Sequence, residues 1–152
     1  MVRPATKKDY GRYFERWRWE WFVTLTFKNP VRKETAIKQL RDWNRSLCKN
    51  ESIQTAFIAV LNYTNWTPHI HVLMFGINRN GKNLLDISTK NPQQFWAEME
   101  RTRNRQPRRA VIEWVTSNRS VSQYLAKNMV FWHPELYELH IYNQKLLKKH
   151  CK

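Results

Sequence analysis

The sequence predicts an α+β fold: a central antiparallel sheet of four to five strands, helices packed on one face, and the other face free to bind. Three observations carry this expectation. Trp17, Trp19, Trp21, Val23, Leu25 and Phe27 alternate with Arg16, Arg18, Glu20, Phe22, Thr24 and Thr26, which is the period of a strand with one buried and one wet face. Ala36, Leu40, Trp43 and Leu47 then recur at intervals of three and four, with Ile37 widening the stripe, as in an amphipathic helix. Two further apolar runs, 54–63 and 67–75, are separated by a short turn at Thr64-Asn65-Trp66 and form a hairpin.

The elements follow in order. Residues 1–15 are basic and aromatic, and Tyr10, Tyr13, Phe14 and Trp17 stand near helical spacing, so a short helix or ordered arm precedes the first strand. That strand starts at Arg16 and ends at Asn29-Pro30. The first amphipathic helix covers 33–49, and the hairpin follows. Residues 78–83 are a polar loop, and Asn91-Pro92 has the form of a cap with proline at the first helical position, opening a helix through Phe95, Trp96 and Met99. Residues 101–109 hold five arginines around a proline and read as an exposed loop. Residues 111–116 form the fourth strand, and Ser117-Asn118-Arg119-Ser120 caps a helix through Val121, Leu125 and Met129. His133-Pro134 closes it, and 134–149 read as a final helix with a lysine-rich tail.

With 152 residues, the chain suits one domain, 1–152, rather than two. Its 27 Lys and Arg against 12 Asp and Glu give a net charge of +15, which calls for a polyanionic partner, nucleic acid first. No apolar stretch approaches the length of a spanning helix and no secretory signal opens the chain, so no membrane partner is expected. Cys48 and Cys151 have neither metal spacing nor a disulfide framework, which fits a reducing, intracellular setting. The sequence contains no phosphate loop and only 3 glycines. No helicase domain is expected, and any unwinding falls to a separate helicase.

The chemistry concentrates in Thr67-Pro68-His69-Ile70-His71-Val72-Leu73-Met74-Phe75. Alternation puts His69 and His71 on one face and Ile70, Val72 and Met74 on the other. Two convergent imidazoles are part of a metal site. On the helix after the fourth strand, Tyr124 and Lys127 stand three residues apart on one face, with Gln123 beside them. A phenol, with its usual pKa of about 10, needs positive charge, a metal or a base to act as nucleophile. Lys127 supplies part of that charge.

Phe22-Val23-Thr24-Leu25-Thr26-Phe27, Pro68-His69-Ile70-His71 and Tyr124-Leu125-Ala126-Lys127 resemble the three ordered motifs of the HUH endonucleases, especially single-tyrosine Rep-type replication initiators. The resemblance spans residues 22 to 127. It implies a ferredoxin-like, RRM-like fold and a metal-dependent nuclease that cuts single-stranded DNA, such as an origin or hairpin, at a specific site. It makes Tyr124 the nucleophile that forms a 5′-phosphotyrosine and frees a 3′-hydroxyl. It makes His69 and His71 ligands of Mn²⁺ or Mg²⁺, with Lys127 positioning DNA or balancing charge.

Many relatives carry a carboxylate on the strand before the histidines, where Val60-Leu61-Asn62-Tyr63 has none. Asn62 is the first candidate for a third ligand, Gln123 the second and Glu113 a distant third. Arg18, Thr24 and Thr26, on the polar face of the first strand, are the candidate DNA contacts. The 101–109 arginines suit phosphates, and Trp66 and Trp132 are candidates for stacking on bases.

Two other readings stay open in the sequence. A single-strand transposase or relaxase shares the chemistry. A non-catalytic RNA-recognition-like binder would instead use exposed aromatics, with Phe22 and Phe75 as its platforms.

Overall fold

The computed structural model describes residues 7–27, 31–62, 69–99, 109–130 and 137–152. The elements run α1 (Lys7–Phe14), β1 (Trp21–Thr26), α2 (Lys33–Glu51), β2 (Gln54–Asn62), β3 (His69–Ile77), α3 (Lys90–Glu98), β4 (Ala110–Trp114), α4 (Asn118–Val130), β5 (Tyr137–Tyr142) and α5 (Gln144–Lys149). The strands form one sheet in the order β4-β1-β3-β2-β5, with every pairing antiparallel. The unit from β1 to β4 is the β-α-β-β-α-β arrangement of ferredoxin-like folds. The α+β class with a central antiparallel sheet is therefore the class that the sequence predicts.

One face of the sheet packs on α2 and α3. Trp21, Val23, Leu25 and Phe27 meet Ala36, Leu40, Trp43 and Leu47 of α2 and Trp96 of α3. Two of these indoles find acceptors inside the protein: Trp43 Nε1 donates to Pro92 O at 2.8 Å and Trp96 Nε1 to Thr26 O at 3.1 Å. Such bonds let a large amphipathic ring be buried without an orphaned donor. The second face is partly covered. Ala56, Ile58, Val60, Leu73 and Phe75 lie under Leu125 and Ala126 of α4, Phe14 of α1, and Leu146 and Leu147 of α5. Among the described residues, the open part is the end where β1 finishes and β3 begins. There Thr24, Thr26, His69 and His71 are each half-buried.

Three local expectations are corrected. Trp17 and Trp19 do not extend the Trp21 face. The α1 helix unwinds through Arg16 N to Tyr13 O and Trp17 N to Phe14 O bonds, and both indoles pack in the second core with Phe14 and Phe75. Alternation holds only along continuously extended backbone, and the strand starts at Trp21. The α3 helix begins at Lys90 after Thr89, earlier than the Asn91-Pro92 cap. Pro92 lies inside the first turn, where its missing N–H has no helical acceptor to lose. Residues 134–149 are not one helix: β5 and α5 share the stretch, and Asn143, at φ 62°, turns the chain between them and accepts from Leu146 N.

The physical reason for β5 lies in β2, which is buried from Thr55 to Asn62. A strand buried on both faces needs hydrogen-bonding partners on both edges, and β3 supplies only one. Asn29-Pro30, the 64–66 turn, Thr67-Pro68, residues 101–108, Trp66, Trp132 and His133-Pro134 lie outside the described residues.

Gly76 holds the hairpin's far end together. A Cβ built there would stand 2.9 Å from Ile53 Cδ1 and 3.0 Å from Gln54 O, and the second of these is backbone that cannot swing aside. Gly76→Ala is expected to destabilise the fold by about 1–3 kcal/mol, read as a lowered urea midpoint at constant m. An unchanged midpoint would mean that β2 and β3 separate freely.

Candidate active site

The register of the sheet builds the site. His69 lies opposite Asn62 of β2 and Thr26 of β1, and His71 lies opposite Val60 and Thr24. Directly opposed residues share a face, so both imidazoles, Asn62, Thr24 and Thr26 stand together on the open end of the second face. Asn62 is buried, at 4% exposure. The amide that the sequence places first as third ligand is thus adjacent to His69 through the backbone ladder. Among the described residues, no group of three His, Cys, Asp or Glu gathers anywhere. Two imidazole nitrogens with an amide oxygen from Asn62 would be a donor set better suited to Mn²⁺ than to Mg²⁺.

Tyr124 reaches this site from α4. Its ring lies edge-on to His71 at a centroid separation of 5.9 Å, and edge-on to Phe22 at 5.6 Å. Phe22 in turn stacks parallel to His71, at 5.8 Å and 7°. The three rings form a closed triangle, and Tyr124 as a residue remains 49% exposed.

Two anchors fix α4 in this position. Asn118 Oδ1 accepts from Trp19 N at 3.0 Å while its Nδ2 donates to Glu15 O at 3.4 Å. Ser117 Oγ accepts from Ser120 N at 3.2 Å, the helix cap that the sequence shows. Burial of Leu125 and Ala126 against the sheet then sets the helix rotation.

His71 is held neutral. Burial lowers its pKa to about 4, with the neighbouring charge of His69 a smaller contribution. A neutral imidazole keeps its lone pair for a metal across the physiological range. Thr24 Oγ1 lies 3.3 Å from His71 Nδ1. When Nδ1 carries the proton, His71 donates to Thr24 and presents Nε2 as the free lone pair.

Thr24→Val, which removes the acceptor at nearly constant shape, is expected to weaken Mn²⁺ affinity about 10-fold to 100-fold. Thr24→Ser should retain it. Calorimetric titration decides, and equal affinity in the valine variant would rule out an orienting role.

The remaining candidates are placed as follows. Thr26 Oγ1 donates to Arg109 O at 3.1 Å, so this hydroxyl ties β1 to the start of β4. Lys127 is exposed one helical turn beyond Tyr124. Gln123 lies on the α1 flank of α4, with its Cγ 3.6 Å from the Cβ position of Gly11, whereas Asn62 stands directly opposite His69 in the ladder. Glu113 is exposed on β4, opposite Phe22.

Arg18 is not gathered in. It precedes β1 and lines a small cleft with Glu20, Phe75, Gly76, Ile77 and His150 at the other end of the sheet. Phe22 is the residue whose role the sequence conceals. As the aromatic on an otherwise polar strand face, it is the signal that something packs there.

Neither a protein-family model nor a curated protein matches the chain. Among solved structures, the chain is similar to the hypothetical protein ORF119 from Sulfolobus islandicus rod-shaped virus 1, at 14% identity and a TM-score of 0.47, over 83% of this chain and 96% of that one.

Proposed function

We infer that this chain is a metal-dependent endonuclease that nicks and rejoins single-stranded DNA through Tyr124, in the manner of a Rep-type initiator of rolling-circle replication. The observation that carries the reading is the contact of Tyr124 with His71, which joins a candidate nucleophile to a neutral candidate ligand 53 positions earlier in the chain. The basic composition, +15 overall, supports a DNA substrate. The binder reading loses its platforms: Phe75 is buried at 6% under Trp19 and His150, and Phe22 is occupied by His71 and Tyr124.

The chain's own residues perform most of the step. The Tyr124 hydroxyl attacks phosphorus in line and loses its proton. The bond from phosphorus to the 3′-oxygen breaks, that oxygen leaves as a hydroxyl after taking up a proton, and the 5′-phosphate stays esterified to Tyr124. Attack by a 3′-hydroxyl reverses the sequence and rejoins the strand. His69 and His71, with Asn62 beside them, would hold a divalent cation. When bound, that cation withdraws charge from a non-bridging phosphate oxygen. Lys127 offsets charge on the phosphate as the phenolate forms.

Among the described residues, no helix is long and apolar enough to cross a membrane. The working place proposed for the protein is the interior of a plasmid's or virus's host cell, with a separate helicase opening the duplex.

The test is direct. Incubation with labelled single-stranded origin hairpins and Mn²⁺ should give a protein–DNA adduct that survives denaturant and maps to Tyr124 by mass spectrometry. Binding without any adduct or cleavage, across cations and hairpins, would favour a non-catalytic binder instead.

A further inference from the structure

Building on the nuclease reading, we propose that the layer made by α1, α4 and α5 is a second DNA surface, one that contacts the phosphates of duplex DNA flanking the nicked strand. The two helical layers are nearly equal in size and very unequal in charge. The three helices α1, α4 and α5 carry eight basic residues and one acidic residue. The α2 and α3 layer carries six basic and four acidic, and cations on or beside it are paired, Arg45 with Asp42 at 3.6 Å and Lys82 with Glu51 at 3.3 Å. Arg12, Arg16, Arg119, Lys127, Lys145 and Lys148 are all exposed. Among the described helices, the excess positive charge is therefore concentrated on the layer that carries Tyr124.

The layer is physically continuous. The α1 and α4 helices meet closely at Gly11 and Gln123. The C-terminal end is tied to the turn after α1 by Trp17 Nε1 donating to Leu147 O at 2.7 Å and by Lys152 N donating to Arg16 O at 2.9 Å. It reaches from Tyr124 over His71 to His150 over Phe75. The four residue steps from His71 to Phe75 span about 13 Å, comparable to the axial rise of about four base pairs.

Surface chemistry selects the occupant. Proteins that follow single strands offer exposed aromatics for base stacking, whereas Tyr10, Tyr13, Phe14, Trp17 and Trp19 here pack on one another. A membrane-surface layer needs apolar residues on its outer side. Among the described residues, Tyr124 is the one large exposed hydrophobic belonging to these helices. A cationic surface without stacking groups or an apolar crest fits the regular phosphate rows of a duplex.

The experiment measures fluorescence anisotropy of a labelled duplex without a nick site, using Tyr124→Phe protein in EDTA so that no chemistry contributes. In that background, Arg12→Gln, Lys145→Gln and Lys148→Gln together should reduce the slope of log affinity against log salt by about 2.7, about 0.9 for each cation. Between about 50 and 200 mM salt, the parent should then lose about 40-fold more duplex affinity than the variant. A control replacing Lys38, Arg41 and Lys49 of α2 by glutamine should leave the slope unchanged.

An unchanged slope in the first variant, or an equal drop in the control, overturns the proposal. So does weakened binding to phosphatidylserine vesicles with unaltered duplex binding. The nuclease reading fails separately, through absence of the Tyr124 adduct in the otherwise unmodified protein.

Discussion

Tyr124→Phe is expected to abolish the covalent protein–DNA adduct while leaving the fold and DNA binding in place. The ring of Tyr124 packs edge-on against His71 and Phe22, and phenylalanine keeps that ring. The substitution removes only the hydroxyl, which is the atom that would bond to phosphorus. The remaining imidazoles, the cation and Lys127 cannot replace an absent nucleophile, so the loss should be complete on the adduct gel rather than graded. Thermal unfolding should shift little, because Tyr124 is a half-exposed residue whose ring contacts phenylalanine keeps. A phenylalanine variant that still forms the adduct would move the nucleophile elsewhere. One that unfolds would mean the hydroxyl holds the triangle together.

Replacing His71 by alanine should have the second-largest effect, in two separable ways. A cation that stabilises developing phosphate charge is worth several kcal/mol, so losing one of its two imidazoles should lower the nicking rate by about two to three decades. EDTA should have a comparable or larger effect on the parent protein.

The second consequence concerns stability in metal-free protein. The His71 pKa is about 4 in the fold against 6.5 when unfolded, so the unfolded chain binds more protons between those values. The stability tied to neutral His71 is therefore complete above about pH 6.5 and is lost as pH falls towards 4, by up to about 3 kcal/mol. Urea unfolding from pH 7 to pH 4 should show that decline in the parent and a flatter profile in His71→Ala. A parallel decline in both would assign the acid sensitivity to another group.

Much of this architecture was legible because local periodicity reports which side chains share a face. The α2 stripe at Ala36, Leu40, Trp43 and Leu47 and the His69/His71 alternation both follow from backbone repeat alone. The failures are equally local in origin. Trp17 and Trp19 continue an alternating pattern through a segment that is not strand, and Tyr137–Tyr142 reads as helix only while its partner β2 is ignored. The continuous burial of β2 was the available signal for a further edge strand. Arg18 and Thr24 alternate onto one face in the sequence, but six residues of extended chain set them about 20 Å apart, which leaves the arginine at the opposite end of the sheet.

By itself, the sequence determined the order of elements as far as α4, the shared face of the two histidines and the strongly basic character of the chain. It also placed Tyr124 and Lys127 on one helical face. Only the tertiary structure decided that Tyr124 meets His71, that Asn62 stands opposite His69 while Gln123 lies along α1, and that the more basic of the described helices share one layer. The physical reason is that a repeat of two or 3.6 residues fixes a side chain's direction within its own element. Which elements meet depends on burial and hydrogen bonds between distant segments. The docking of α4 through Asn118, Leu125 and Ala126 is such a case, and it brings the tyrosine to the histidine strand.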